Sequence, residues 1–436
     1  MRWFLYNILF FIAGLFLLPH FYLKMKRRGG YKANFKNRFG RYTPEQLKNI
    51  GEGGAILIHA VSVGEVGVAF QFMASMREVN PNQRFVISTT SSTGWKEAEK
   101  RLTENDTLIY NALDLPIFVN RELDRIKPSA FITVETEIWP NLIRACARRS
   151  IPMFIVNGRI SDKTAPTYRK LRFWFGPVLR LFKLILVQSD LDGSRFISAG
   201  ANPETIQVTG SFKFDVAKRN EVKEAMWKEL LEKSAFNAPQ MILLGASTWD
   251  GEEALLLDTY KALSQKYPNL RLILVPRHFE RREVVEKEIS ARGLNSVRKS
   301  DLDSGAYKVK PLTDRDVILA DTTGEIMGLF PFAAVTVVGR TFRSQGGQNM
   351  IEPCLVGVPT IVGPETQNFR PVMADLLASK AIIQLSKDEE LIPELDRLLG
   401  DETARKELGT TASNAVLARR GVVNHCVNAV KSVIFR

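Results

Sequence analysis

Four strings in the first half of the chain hold the residue types that acid–base and anion chemistry require. In HAVSVGEVG (59–67) an apolar run ends near Ser62, Gly64 allows a turn, and Glu65 opens a stretch with helical spacing. A carboxylate there lies at the carboxyl end of a strand. It has two readings: an acid in a first helical turn, favoured by the helix dipole, or a general base, which must come within hydrogen-bond reach of the proton it takes. VETEIWPN (134–141) sets Glu135 and Glu137 at another strand end, projecting differently, so that at most one need face a ligand. NGRISD (157–162) and GSFKFD (210–215) follow strands as well. Lys213 in the last string has the charge to neutralise a phosphate or an acid. For each of these residues a plain surface charge or cap is the rival reading.

The second half carries phosphate-type features. VPRHFERR (275–282) sets Arg277 just after a strand, where a fixed cation meets an anionic ligand. DTTGEIMG (321–328) opens a helix after a strand. In SQGGQNMIEP (344–353), Gly346 and Gly347 allow close approach of backbone to a ligand, and Asn349 starts a helix. Unpaired N–H groups at such a terminus bind phosphate without a metal. Glu352 suits ribose hydroxyls, or else caps the same helix. GxGxxG, GxSxG and GxxxxGK[ST] are absent, so neither the usual dinucleotide fold nor those hydrolase and nucleotide loops has support. DLD at 190–192 and 301–303 and DRD at 314–316 are triplets that chance produces, and no metal or cofactor is assigned to them.

The elements that must position these residues alternate along the chain. Candidate strands are 55–62, 84–90, 107–113, 129–135, 151–158, 183–189 and 205–210, separated mostly by stretches with helical spacing. The segment 220–240 is charged and strand-free, and reads as a connecting helix and linker. Strands resume at 241–247, 271–276, 316–321, 335–339, 359–364 and 381–386, and the pattern is helical after Lys387. Such alternation predicts two mainly parallel, doubly covered sheets, hence two domains facing a cleft. Ligands in such folds bind at the carboxyl ends of the strands. YRKLRFWFGPVLRLFK (168–183) mixes basic and aromatic residues, either as an ordinary helix with a core face or as a surface for lipid headgroups.

A length of 436 residues, 45% hydrophobic and 25% charged, exceeds one domain and excludes a disordered or disulfide-stapled protein. Cys146, Cys354 and Cys426 are far apart, as expected in a reducing compartment. The net charge is +13, but Lys24, Lys26, Arg27, Arg28, Lys32, Lys36, Arg38 and Arg41 account for most of it. The remainder is only mildly basic, so nucleic acid is not an expected partner. Trp3 to Leu23 carries no charged side chain, and at 1.5 Å per residue it reaches roughly 30 Å, about one hydrocarbon core. A cleaved signal peptide fits poorly, because the basic block follows the apolar run and no small-residue cleavage site appears; a buried core helix has little support. The expectation is a single-pass anchor with everything after Leu23 on the cytoplasmic side and the basic block on anionic lipids.

Together HAVSVGE, TTSSTGWKEAEKRL, ETEIWPNLI, NGRISDK, GSFKFD, LGASTWDGEE, LVPRHFERR, DTTGEIMGLF, GGQNMIEP and GPETQNF resemble the 3-deoxy-D-manno-octulosonic acid (Kdo) transferases, over nearly the whole chain. The resemblance implies an α/β, GT-B glycosyltransferase with two Rossmann-like domains, a membrane-anchor helix and no obligatory metal. It implies inverting transfer of Kdo from CMP-Kdo to the lipid A precursor, a tetraacyldisaccharide 1,4'-bisphosphate, at the inner membrane during lipopolysaccharide core biosynthesis. The family's base aligns with Glu65 and its supporting groups with Glu135 and Lys213. Its CMP contacts align with Pro276 and Arg277, with Thr323, Gly324 and Glu325, and with Asn349, Met350, Ile351 and Glu352. The chain departs from the family at Thr323, usually Met, and at Gln348, usually His. The expected boundaries are 1–42 for the anchor and basic segment, 43–219 for the acceptor domain, 220–240 for the linker and 241–436 for the donor domain. The rival readings are a UDP-sugar enzyme of the same fold and a membrane-tethered binding protein without turnover.

Overall fold

A computed structural model describes residues 2–28, 34–236, 239–305 and 312–435. Residues 29–33 of the expected basic segment and 237–238 of the expected linker lie outside that range. The chain forms two compact units, Met1–Phe212 with Gly421–Arg436, and Lys213–Arg420.

The first unit is built on β1 (Ile56–His59), β2 (Phe85–Thr89), β3 (Asp106–Tyr110), β4 (Ala130–Val134), β5 (Met153–Gly158), β6 (Leu184–Val187) and β7 (Ile206–Val208). Their order is β3-β2-β1-β4-β5-β6-β7, and every pairing is parallel. The strands read as continuous apolar runs because helices cover both faces. Ile56, Ile58, Phe72 and Phe154 pack on one face; Leu57, Phe131, Ile155 and Phe196 pack on the other. Each of the seven expected strands in this half overlaps an observed one.

The second sheet contains β8 (Met241–Thr248), β9 (Leu270–Pro276), β10 (Asn295–Arg298), β11 (Asp316–Leu319), β12 (Ala333–Val338), β13 (Thr360–Val362) and β14 (Ile383–Gln384). It is also parallel, in the order β10-β11-β9-β8-β12-β13-β14. β10, whose sequence is NSVR, was not expected: it is short, polar and at an edge, so only Val297 is buried.

The boundaries differ from the sequence expectation in three places. Lys213 opens the second unit, six residues before position 219. The helix Glu221–Lys233 is not a free connector, since Trp227 and Leu231 enter the second unit's core. The final helix, Val422–Ile434, belongs to the first unit. Its apolar stripe of Val422, Val423, Cys426, Val427 and Val430 joins the core around Phe72, and Ser75 Oγ donates to Asn424 Oδ1 at 2.6 Å.

The apolar N-terminal stretch is helical over Arg2–Arg28. Among the described residues no helix is long and apolar enough to cross a membrane. The first turns of this helix are docked on the first unit. Tyr6 donates to Asp114 at 2.8 Å, Asn7 accepts from Asn141 Nδ2 at 2.7 Å, and Trp3 packs edge-on against Trp174. Threading the helix through lipid would strip these polar groups of their partners, at several kcal/mol per unsatisfied group. The aromatic and basic stretch 168–183 is thus partly core (Val178, Leu179, Phe182) and partly the seat of this helix, through Phe173 and Trp174.

Candidate active site

In the first sheet the strand order reverses between β1 and β4, and the loops leaving their carboxyl ends flank the crevice where such folds bind ligands. β1 leads to Ser62, whose hydroxyl accepts the Glu65 N–H at 3.3 Å and caps the helix Val63–Val79. Glu65 is buried, and its Oε2 accepts the Val61 N–H at 2.9 Å, leaving Oε1 for other use. The capping reading is therefore realised, and it fixes the carboxylate in place. β4 leads to Glu135, which sits at φ +58° and lies 3.6 Å from Arg159. Glu137 is partly buried, and burial first, then the charges of Glu65 and Glu135, push its carboxyl up to about 7. Sequence reasoning left Glu137 as the alternative to Glu135; the structure brings all three acids into one electrostatic cluster.

A buried chain of hydrogen bonds sets the two loops in register. Trp139 Nε1, which only donates, points at His59 Nε2 at 3.1 Å. His59 therefore carries its proton on Nδ1 and donates to Ser88 Oγ at 3.0 Å, which donates to Asn111 Oδ1. Burial depresses the imidazole to about 4, so it stays neutral and keeps this polarity near pH 7.

In the second unit the reversal falls between β8 and β12. Arg277 follows β9 and is exposed, its N–H donating to Thr248 O at 3.0 Å; Pro276, before it, is buried. Glu352 is hydrogen-bonded by Asn349 and feels the Arg277 charge, while burial raises its pKa. Arg277, Asn349 and Glu352 therefore form one group. Lys213 joins the glycine turn from another side: its Nζ donates to Asn368 O at 2.6 Å and lies 4.0 Å from the Phe369 ring centroid, and Asn368 N–H donates to Gly346 O.

Several expectations for this half change. The amides of Gly346, Gly347 and Gln348 do not point at a ligand; they donate to Gln367 Oε1, Arg340 O and Gly339 O. The helix after this turn, Ile351–Leu355, and the helix after Gly324, Ile326–Leu329, are both short, so aligned peptide dipoles add little there. Met350 and Ile351 are fully buried in the core, which restricts any donor contact of theirs to main chain. Glu325 is buried and engaged by Lys223 at 3.1 Å and Lys299 at 3.8 Å, while Thr323 and Gly324 beside it are exposed. No cluster of His, Cys, Asp and Glu able to hold a metal ion occurs among the described residues.

The protein thus carries an acid cluster on one parallel sheet and a cation-and-glycine group on another, in a two-sheet fold that solved glycosyltransferases share. The fold agrees: a solved glycosyltransferase from Rickettsia africae is similar at a TM-score of 0.58, covering 88% of this chain and 100% of its own, at 12% identity. The particular family comes from sequence. A model described as 3-deoxy-D-manno-octulosonic-acid transferase (kdotransferase) matches residues 33–216. The chain is 31% identical to the 3-deoxy-D-manno-octulosonic acid transferase of Bordetella pertussis, over 95% of this chain and 96% of that one. It is 28% identical to that of Haemophilus influenzae over 99% of both. The chain belongs to the 3-deoxy-D-manno-octulosonic acid transferase family.

Proposed function

We propose that this protein moves Kdo from CMP-Kdo to the lipid A precursor in a single inverting displacement, with Glu65 as the general base. The observation that carries the assignment is the state of Glu65: it sits at the β1/β4 reversal with one oxygen pinned by the Val61 N–H and the other without a hydrogen bond among the described residues. Glu65 takes the proton of an acceptor hydroxyl as that oxygen attacks the anomeric carbon, and the bond from that carbon to the phosphate oxygen breaks, its electron pair leaving with CMP. Glu137 has a separate role, since its elevated pKa lets it hold a proton near neutrality. Glu135 and Lys213 act in support. Charge growing on the phosphate is met by the cations of Arg277 and Lys213, with Pro276 beside them. Asn349 and Glu352 meet the ribose, and Thr323, Gly324 and Glu325, with the main chain of Met350 and Ile351, complete the nucleotide contacts.

Tethering follows the docked geometry of the first helix. With Tyr6 and Asn7 turned onto the first unit, Phe4, Leu5, Leu9, Phe11, Ile12 and Phe16 are left exposed, Phe16 to 80%. This apolar side lies in the inner-membrane surface, assisted by anionic lipids around the basic segment. The test is release of CMP from CMP-Kdo in the presence of lipid A precursor, with mass spectrometry of the product and competition by CMP against UDP. Glu65→Gln leaves CMP binding intact and lowers kcat roughly 10²–10⁴-fold. Turnover within a few-fold of wild type removes Glu65 from the role, and competition by UDP rather than CMP overturns the donor.

A further inference from the structure

We infer that Arg340 is a donor-contact residue that binds an oxyanion of the nucleotide sugar, an inference that rests on the functional reading above. Arg340 leaves the end of β12 at the reversal point of the second sheet, opposite Trp249 at the end of β8. Its φ is +57°, a region that side chains rarely adopt. The main chain is held there from both sides. The Arg340 N–H donates to Glu252 Oε2 at 2.7 Å, and its carbonyl accepts the Gly347 N–H at 2.8 Å. Glu252 is buried and also accepts the amides of Trp249, Thr341 and Phe342, so its charge is spent on main chain.

The Arg340 side chain has no such outlet. Its guanidinium carbon lies 4.9 Å from the centroid of the Trp249 ring. Among the described residues it has no carboxylate partner, and its Nε is buried without a hydrogen bond. It also stands over the glycine turn: a Cβ placed on Gly346 would come within 3.6 Å of Arg340 Cζ. A planar donor fork, stacked on an indole and lacking a partner at a strand-end crevice, matches a carboxylate or phosphate in two parallel hydrogen bonds. Because the amides of Gly346, Gly347 and Gln348 are consumed internally, a side-chain cation at this turn supplies what the main chain does not. The donor carries two groups of this chemistry, the phosphodiester and the sugar carboxylate.

The experiment uses the full chain and Arg340→Gly, a residue suited to the left-handed backbone. Arg340→Asn, which also tolerates that region, serves if the first variant loses its cooperative melt. CMP affinity is measured by calorimetry and KM for CMP-Kdo by CMP release. If Arg340 meets the phosphate, the CMP Kd and the CMP-Kdo KM both rise roughly 10–100-fold. If it meets the carboxylate, the KM rises alone, and free Kdo competes in wild type but not in the variant. Kd and KM both within twofold of wild type overturn the inference while leaving the functional reading intact. A wild-type protein that releases no CMP from CMP-Kdo refutes that reading, and this inference with it.

Discussion

Glu137 stands at about 7 in the folded protein against an ordinary value of 4.5, chiefly because water is withdrawn from it and secondly because Glu65 and Glu135 face it. The folded state therefore binds more protons than the unfolded state between these two values, and this residue's contribution falls as pH rises through that window. Glu137→Gln should leave stability unchanged at pH 4 and raise it by about 1–2 kcal/mol at pH 8, a figure reduced for the water that still reaches the group. Urea unfolding at both pH values measures this, and equal effects at pH 4 and pH 8 refute it. His59 behaves oppositely: its depressed pKa contributes stability above about 6.5 that is lost on acidification through about 4. The string HAVSVGE made Glu65 legible as a strand-end acid, because apolar run, Ser, Gly and Glu follow one another. What it did not disclose was the company of Glu65, since Glu137 lies on a loop from a strand far along the chain.

At the level of elements, the acid site depends on how closely its loops approach one another. Ser91 caps the helix Ser92–Glu99 and donates to Val61 O at 2.5 Å, while Gly94 sits so near that a Cβ would lie 2.7 Å from that same oxygen and 2.6 Å from Thr89 Oγ1. Gly94→Ala should cost about 1–3 kcal/mol, displace the loop holding Glu65 and lower kcat more than it raises KM; unchanged melting and kcat would contradict the packing. For the N-terminal helix, Phe4→Ser with Phe16→Ser should abolish co-sedimentation with anionic vesicles and leave CMP affinity unaltered. Alkaline carbonate should extract the wild-type protein from membranes, because a surface helix is held by one face; retention in the pellet would restore a spanning anchor. Strands were readable wherever both faces are buried, as in β1 and β9. β10 was not, because an edge strand of polar residues lacks that signal.

Across the whole molecule the last sixteen residues illustrate how chain order and unit membership part company. The final helix follows the second unit in sequence, yet five of its apolar side chains complete the first unit's core. Each fully buried side chain of this kind contributes about 1.5–3 kcal/mol. Truncation after Arg420 should lower or erase the first unit's thermal transition while CMP affinity, which the proposed function assigns to the second unit, persists. Calorimetry of the truncated chain with and without CMP decides it, and an intact first transition would show the helix to be dispensable. The boundary at Lys213 has a similar origin: the residue was assigned by its position after β7, whereas its ammonium is tied to Asn368, far along the chain.

Read alone, the chain established two parallel α/β sheets, strand-end motifs and membership of one transferase family, because apolar period, turn residues and ordered strings are local properties. Only the folded chain decided that the first helix is docked by Asp114 and Asn141, that the glycine-turn amides are spent, that Glu137 joins Glu65, and that Arg340 faces the turn with no carboxylate partner among the described residues. Outside the glycine turn, those facts concern groups separated by tens to hundreds of residues, whose hydrogen-bond partners and dielectric surroundings exist only after the sheets have closed the distance.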